Sequence, residues 1–443
     1  MAQKNCINIK IIGAGLAGSE AAWQLAKRNI NVTLHEMRPA KNTPAHQTDL
    51  FGELVCSNSL GGDKLTTTAG ILHKELECLD SLIMKAAREA AVPAGNALAV
   101  DRNVFAEFIT QKIKELPNVE IVTEEVTSID DCPTIIATGP LTSPDFAKEI
   151  AKLIGEDFLY FYDAVAPIVD VSTIDMTRAF KGNRWGSEGD YINCPMTKEE
   201  YLDFYHALIE AETAPRHSFE EAKHFEGCLP VEVIAKRGEQ TLVFGPLRPV
   251  GFEEFVGGSR PYAVVQLRQD NKSGSLYNIV GFQTNLKWGE QERVFRMIPA
   301  LKNAEFVRKG VMHRNLFVNA PRVLDEYLRF KNNEKIFIAG QASGVEGYME
   351  STAMGLASGI FAFAMLLGRD MPRFPRETAI GSLLNYLQMA LPSSFQPMNV
   401  NLGIMPKLEG RKIKSRAERC EAIGTRAIEA LQSFMASRRD IFK

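Results

Sequence analysis

Ile7 to Ile12 is rich in β-branched residues, and the chain then runs through GAGLAG at Gly13 to Gly18, an Ala-rich segment to about Arg28, and a second strand-like run, Asn31 to His35. Strand, glycine turn, helix and strand in that order predict a βαβ unit. Two later runs, Thr134 to Gly139 (TIIATG) and Lys335 to Gly340 (KIFIAG), read as buried strands that end on glycine and return the chain to the same sheet. Between about Phe158 and Phe317 the pattern changes. Aromatic residues become frequent, and β-like runs are expected at Leu159 to Val171, Gln240 to Phe244, Tyr262 to Leu267 and Leu276 to Phe282. The uncharged stretch Ser351 to Gly368 is near the minimum length for a bilayer span, but it carries Ser351, Thr352, Ser358 and several glycines, so it reads as a buried helix.

These runs divide the chain into 1–157 and 318–443, two parts of one Rossmann-like domain, with 158–317 as an inserted α+β substrate domain. The fold class expected is α/β. A length of 443 residues suits about three domain-sized units, and 45% hydrophobic with 24% charged residues is ordinary for a chain that buries a core. The net charge of -3 excludes a protein that is basic throughout and binds nucleic acid by bulk charge, so any RNA contact comes from a local cluster. One such cluster holds Lys407, Arg411, Lys412, Lys414, Arg416 and Arg419 against Glu409 and Glu418, a run that also reads as a solvated helix face. Seven cysteines without a CxxC pair suggest neither a disulfide framework nor a structural zinc site, and a cytoplasmic, reducing location is expected.

The glycine turn carries specific chemistry. Gly13 permits the tight turn, Gly15 lets the backbone approach a pyrophosphate, and Gly18 lets the helix pack on the strand, while Ala14, Leu16 and Ala17 complete the loop. Glu36 closes the second strand 18 residues beyond Gly18, placed to accept hydrogen bonds from an adenosine ribose. A dinucleotide site follows. The two glycine-ended strands, with Gly139 and Gly340, resemble the two-dinucleotide-binding-domain flavoproteins, which makes FAD the resident cofactor. Gln341 stands where that pattern usually has an Asp facing the ribitol. Only one GxGxxG is present, so a nicotinamide would visit transiently.

Other candidates are less specific. Cys56 in FGELVCSNSLGGD and Cys228 in FEGCLPVE lie outside long apolar runs, and each reads either as a nucleophile or as a small buried hydrophobe. His313 in GVMHRNLFVN can bind an anion or cap a turn. After the last flavin strand, GQASGVEGYMES places Glu346 and Tyr348 at the isoalloxazine border, for proton handling and stacking or for capping a helix.

Taken together, GAGLAGSEAAWQLA, ELVCSNSLGGD, EGCLPVE, SRPYAVVQLRQDN, GFQTNLKWGEQ, HRNLFVN, GQASGVEGYMESTAMGL and FQPMNVNLG resemble the folate- and FAD-dependent tRNA (uracil-5-)-methyltransferases of bacteria, from residue 7 to about 420. The related tRNA carboxymethylaminomethyl-uridine flavoproteins carry blocks similar to the Cys-Ser-Asn and GVEGY segments, whereas EGCLPVE and RPYAVVQLRQDN are more specific to this resemblance. A small-molecule flavin oxidoreductase would account for the FAD motifs and leave both cysteine blocks unexplained. The resemblance implies formation of 5-methyluridine at uridine 54 of the tRNA T loop, with methylenetetrahydrofolate as carbon donor, reduced FAD as hydride donor and NAD(P)H as its reductant. It implies functional roles for Cys228, as nucleophile on uracil C6, and for Cys56, near the flavin as proton acceptor or partner in methylene transfer. It further implies a folate pterin stacked on the flavin beneath Tyr348, and tRNA contact by the basic run around Arg411 and Lys412. Neither a metal nor a membrane is expected.

Overall fold

The structure is a computed structural model that describes residues 8–43, 45–155, 158–185, 189–214, 229–252, 260–410 and 413–442. Strand β1 (Asn8–Ile12) lies inside a six-stranded sheet, between Thr134–Ile136 on one side and β2 (Asn31–Glu36) on the other. Its pairings are parallel, with Ile11 opposite Leu34 in β2 and Ile135 in the other neighbour. A parallel sheet is covered on both faces, which is why Ile9, Ile11, Leu34, Ile135 and Ile136 are all buried. Val119–Thr123 extends the sheet beyond β2, and Asn333–Ile338 pairs in parallel with Thr134–Ile136, with the preceding strand Arg329–Phe330 as its antiparallel edge neighbour.

Helix α1 (Leu16–Ala26) follows the glycine turn and packs against the long helix Tyr348–Leu366. The approach is backbone to backbone: a Cβ on Gly355 would stand 2.2 Å from the Ala17 carbonyl oxygen, and one on Gly359 3.1 Å from that of Ala21. The long helix is apolar enough to cross a membrane by length and composition, yet 89% of its apolar window is buried inside the protein. A helix hydrophobic on all sides needs cover on all sides, and here the fold supplies it.

A second core gathers residues from Ala166 to Ala304, whereas the first draws on both ends of the chain. Its sheet is antiparallel, in the order Phe180–Lys181, Tyr191–Met196, Ala263–Gln269, Leu276–Ile279, Ile168–Asp170, Phe306–Arg308. Helix Lys198–Glu210 covers it, started by a capping box in which Thr197 and Glu200 satisfy each other's backbone amides. The chain leaves and re-enters the first core through a two-stranded ribbon, with Leu159 opposite Phe317 and Ala164 opposite Met312.

Two expected strands differ. Gln240 to Phe244 contains a short helix, Thr241–Phe244, whose Thr241 hydroxyl donates to the Ile234 and Gly238 carbonyls. A short apolar run carries no period long enough to separate helix from strand, and tertiary contacts decide it by burying Leu242 and leaving Phe244 out. The run Leu159 to Val171 splits into Leu159–Ala164 and Ile168–Asp170, which belong to different sheets; Pro167 lies between them.

Two buried carboxyls tie distant segments together. Glu75 accepts from the backbone amides of Ala379 and Ile380, at the start of helix Ala379–Met389, and Glu350 accepts from that of Val400. Burial pushes Glu75 up to about 8 and Glu350 up to about 7. A carboxyl raised by folding holds its proton in the native chain where the unfolded chain has lost it, so stability falls as pH rises toward the folded value. His35 and His46, both lowered chiefly by burial, act in the opposite sense only below about 6.5. The unfolding free energy therefore drops by about 2 kcal/mol between pH 6.5 and 8. Urea titrations at the two pH values measure it, and Glu75→Gln should flatten the difference.

Candidate active site

At the turn after β1, Gly13 takes φ +99°, and a Cβ there would lie 2.6 Å from the Ala137 carbonyl oxygen. A Cβ on Gly18 would lie 1.8 Å from the Gly13 carbonyl oxygen, so neither position admits a side chain. Gly15 is the opposite case. It is the N-cap of α1, has no side-chain cap, and faces open space where its Cβ would be. The amides of a helix's first turn have no partners within the helix, and its dipole favours an anion there, so this is a site for phosphate oxygens.

The open space is a cleft lined by Gly13, Gly15, Leu16, Ala17, Glu36, Gly139, Gly340, Gln341 and Tyr348, among others. The separated loops expected to hold a dinucleotide therefore meet at one cleft. Glu36 is buried there; one carboxylate oxygen accepts from the Ala14 amide at 2.9 Å, the other from the amide and Nε of Arg38 at 3.1 and 2.9 Å. Burial alone would raise this carboxyl, but the hydrogen bonds and charge of Arg38 hold it below the usual carboxylate range. It is thus an ionised acceptor at the cleft wall. At the far end, Gln341 donates from Nε2 to the Glu346 carboxylate at 2.5 Å, and Asn399 donates to the Glu346 carbonyl. The Gln in place of the usual Asp is held by a neighbouring acid.

Tyr348 connects this cleft to Cys56. Its hydroxyl oxygen accepts from the backbone amides of Cys56 at 2.8 Å and Ser57 at 3.2 Å, across 292 residues of sequence. The Cys56 thiol is half-buried and donates to the Ala164 carbonyl at 3.5 Å. Three arginines grip the rest of the segment. Arg102 donates to the carbonyls of Leu54 at 2.7 Å and Cys56 at 3.1 Å, and Arg308 to that of Val55 at 2.9 Å. Arg268 donates to the Ser57 hydroxyl at 2.7 Å and the Asn58 side-chain oxygen at 2.9 Å. Asp270, the counter-ion of Arg102 at 3.1 Å, is buried, and Arg102 is nearly so. Burial pushes the Asp270 carboxyl up and the Arg102 guanidinium pulls it back; burial and Arg102 push Arg268 and Arg308 down. Three guanidiniums around the Asp270 carboxylate place an excess of positive charge beside the Cys56 segment. Cys194, in contrast, is fully buried with its thiol pushed up to about 12, and is inert packing.

The structure thus joins Cys56 and Tyr348 to the dinucleotide cleft. Cys228, Arg411 and Lys412 lie outside the described residues, as does Cys6. His313 lies in strand Met312–Phe317, opposite Asp163. Lys407, Lys414, Arg416 and Arg419 are exposed, and the last two lie in the first turn of helix Arg416–Ser437. Sequence reasoning missed Arg38, Arg102, Arg268, Asp270 and Arg308. A faint signal existed for two of them: Arg268 and Asp270 stand in the distinctive run SRPYAVVQLRQDN. Among the described residues no group of three or more His, Cys, Asp or Glu could hold a metal ion.

Residues 8–370 match the family described as glucose inhibited division protein A. A protein from Listeria welshimeri named methylenetetrahydrofolate–tRNA-(uracil-5-)-methyltransferase TrmFO is 56% identical over 426 residues, covering 96% of this chain and 98% of its own. Its namesake from Bacillus subtilis is 55% identical with the same coverage. Among solved structures, Aquifex aeolicus GidA superposes with a TM-score of 0.68 at 16% identity, over 98% of this chain and 75% of that one, a likeness of fold.

Proposed function

The chain belongs to the glucose inhibited division protein A family and, within it, to the methylenetetrahydrofolate–tRNA-(uracil-5-)-methyltransferases, and from that membership we propose how its own residues divide the work. The enzyme methylates C5 of a uracil in tRNA, with methylenetetrahydrofolate as the carbon donor and FAD as cofactor. In our reading the target is uridine 54 of the T loop, a cytoplasmic substrate. The amides around Gly15 hold the FAD pyrophosphate, Glu36 holds the ribose, and Gly139, Gly340 and Gln341 border the remainder. FAD, when bound and reduced by NAD(P)H, supplies the hydride that completes the methyl group.

Uracil C5 is a weak nucleophile. The Cys228 thiolate adds to C6, and the new S–C6 bond pushes an electron pair through C5 onto the O4 enolate, which makes C5 reactive toward a one-carbon electrophile. C5 bonds to the methylene carbon of the folate, Cys56 accepts the proton that C5 then loses, and the electron pair expels the tetrahydrofolate nitrogen to leave an exocyclic methylene on uracil; once that methylene is reduced to methyl, the enolate expels the Cys228 thiolate from C6 and restores the C5=C6 double bond. The base must leave its stack to reach the thiols. The observation that best supports this division is the pair of hydrogen bonds from the Cys56 and Ser57 amides to Tyr348, which hold a thiol beside that positive charge at the border of the dinucleotide cleft.

The test is direct. The purified protein is incubated with unmodified tRNA, NADPH or NADH, and folate labelled in its methylene carbon, and the nucleosides are analysed. Labelled 5-methyluridine at position 54 is expected. Label in another nucleoside, or none while flavin is still reduced, would overturn the reading.

A further inference from the structure

The second core carries a cleft of about 920 Å³ that takes no part in the chemistry above. Arg178, Lys198, Arg248 and Arg260 line it, all exposed, and among the described residues Glu200 is the one carboxylate in its lining. That carboxylate is already committed to Arg178 and to the amide of Thr197. Among the described residues neither Lys198 nor Arg248 has an ion-pair partner. In a chain of net charge -3 this is a local concentration of positive charge.

The same cleft presents apolar rings to solvent. Phe244, in its wall, is 78% exposed, and Trp185, which lies against Gly251 next to the wall residue Val250, is 75% exposed. Neither ring serves the core. The wall itself is built, because Arg184 donates to the carbonyls of Arg248 at 2.8 Å and Val250 at 2.7 Å while its guanidinium stands over the Phe252 ring. Cations that track a phosphate backbone beside exposed aromatic faces that stack bases are the combination used to bind single-stranded nucleic acid.

Strand Ala263–Gln269 measures the distance to the reacting centre. Its leading neighbour, Tyr262, lines the cleft, and Arg268 near its other end holds Ser57 and Asn58. Six residues at about 3.4 Å each separate the two ends by roughly 20 Å. That is the length of about six stacked nucleotides at ~3.4 Å per step.

We propose that this cleft is a second RNA-binding site, in which Lys198 and Arg248 take phosphates and Phe244 stacks on an unpaired base of the tRNA about six nucleotides from the uridine being methylated. The inference rests on the tRNA substrate proposed above. Binding of unmodified tRNA is measured at 50 and 200 mM salt for the wild type, Lys198→Gln/Arg248→Gln and Phe244→Ala, with melting temperature as the control for folding. The double variant is expected to bind about ten-fold more weakly, with a slope of log K against log salt shallower by about 1.4 to 1.8, as two lost phosphate contacts require. Phe244→Ala is expected to weaken binding about five-fold at an unchanged slope. Footprinting of the wild type should show protection about six nucleotides from the target uridine, lost in the double variant. Dissociation constants within two-fold of the wild type in both variants, at unchanged slope, would overturn the proposal. A wild type that binds tRNA through these residues but forms no 5-methyluridine would remove the proposed reaction and leave the cleft's role standing, whereas one that binds no tRNA would remove both.

Discussion

Cys228→Ala and Cys56→Ala are each expected to lower 5-methyluridine formation by at least about three orders of magnitude, and only Cys228→Ala is expected to lose the covalent complex with tRNA carrying 5-fluorouridine. The reasoning is chemical. Addition of a thiolate to C6 is the step that makes C5 reactive, and no neighbouring group replaces a missing nucleophile. Fluorine at C5 cannot leave as a proton would, so an enzyme that still has its nucleophile stops as an adduct that survives denaturing electrophoresis. Cys56, as proton acceptor, acts after the S–C6 bond has formed; its loss stops turnover and leaves the adduct in place. The backbone on either side of the Cys56 thiol is held by Tyr348 and Arg102. An adduct that persists in Cys228→Ala and vanishes in Cys56→Ala would exchange the two roles.

Asp270→Ala is expected to destabilise the fold by about 3–5 kcal/mol, because it leaves the Arg102 guanidinium in a buried site without its carboxylate. The same substitution loosens the Cys56 segment, so turnover falls as well. A second variant separates the two effects. In Arg102→Met/Asp270→Leu an apolar pair of similar volume replaces the ions, which restores stability to within about 1 kcal/mol of the wild type. Turnover does not recover, since the carbonyls of Leu54 and Cys56 have lost their donor. Denaturant titration and single-turnover methylation, run on both variants, read the two quantities independently. A double variant that is stable and fully active would show that the grip of Arg102 on the segment does not matter to the reaction.

The second core tests how far pattern reading extends. Tyr262 to Leu267 overlaps the strand Ala263–Gln269, and Leu276 to Phe282 contains the strand Leu276–Ile279. Gln240 to Phe244 has the same apolar character and contains a helix. The difference lies outside the segment, in the Ile234 carbonyl that receives the Thr241 hydroxyl and in the core that receives Leu242. A window of five residues contains neither partner.

The sequence by itself determined the dinucleotide half of the site, and the reason is that its constraints are local. A positive φ at Gly13 and the contact of Gly18 with the Gly13 carbonyl are properties of six consecutive residues, and Glu36 follows at the end of the next strand, so spacing alone reveals them. The burial of helix Tyr348–Leu366 was legible for a similar reason, because its composition demands cover from whatever surrounds it. Only the tertiary structure decided what surrounds Cys56. Tyr348 reaches it across 292 residues, and the pair Arg102–Asp270 that braces it spans 168. No periodicity encodes such a meeting. Whether an arginine ends in solvent or against a particular carbonyl depends on which two cores close over it, and that is settled by the burial of several hundred other residues.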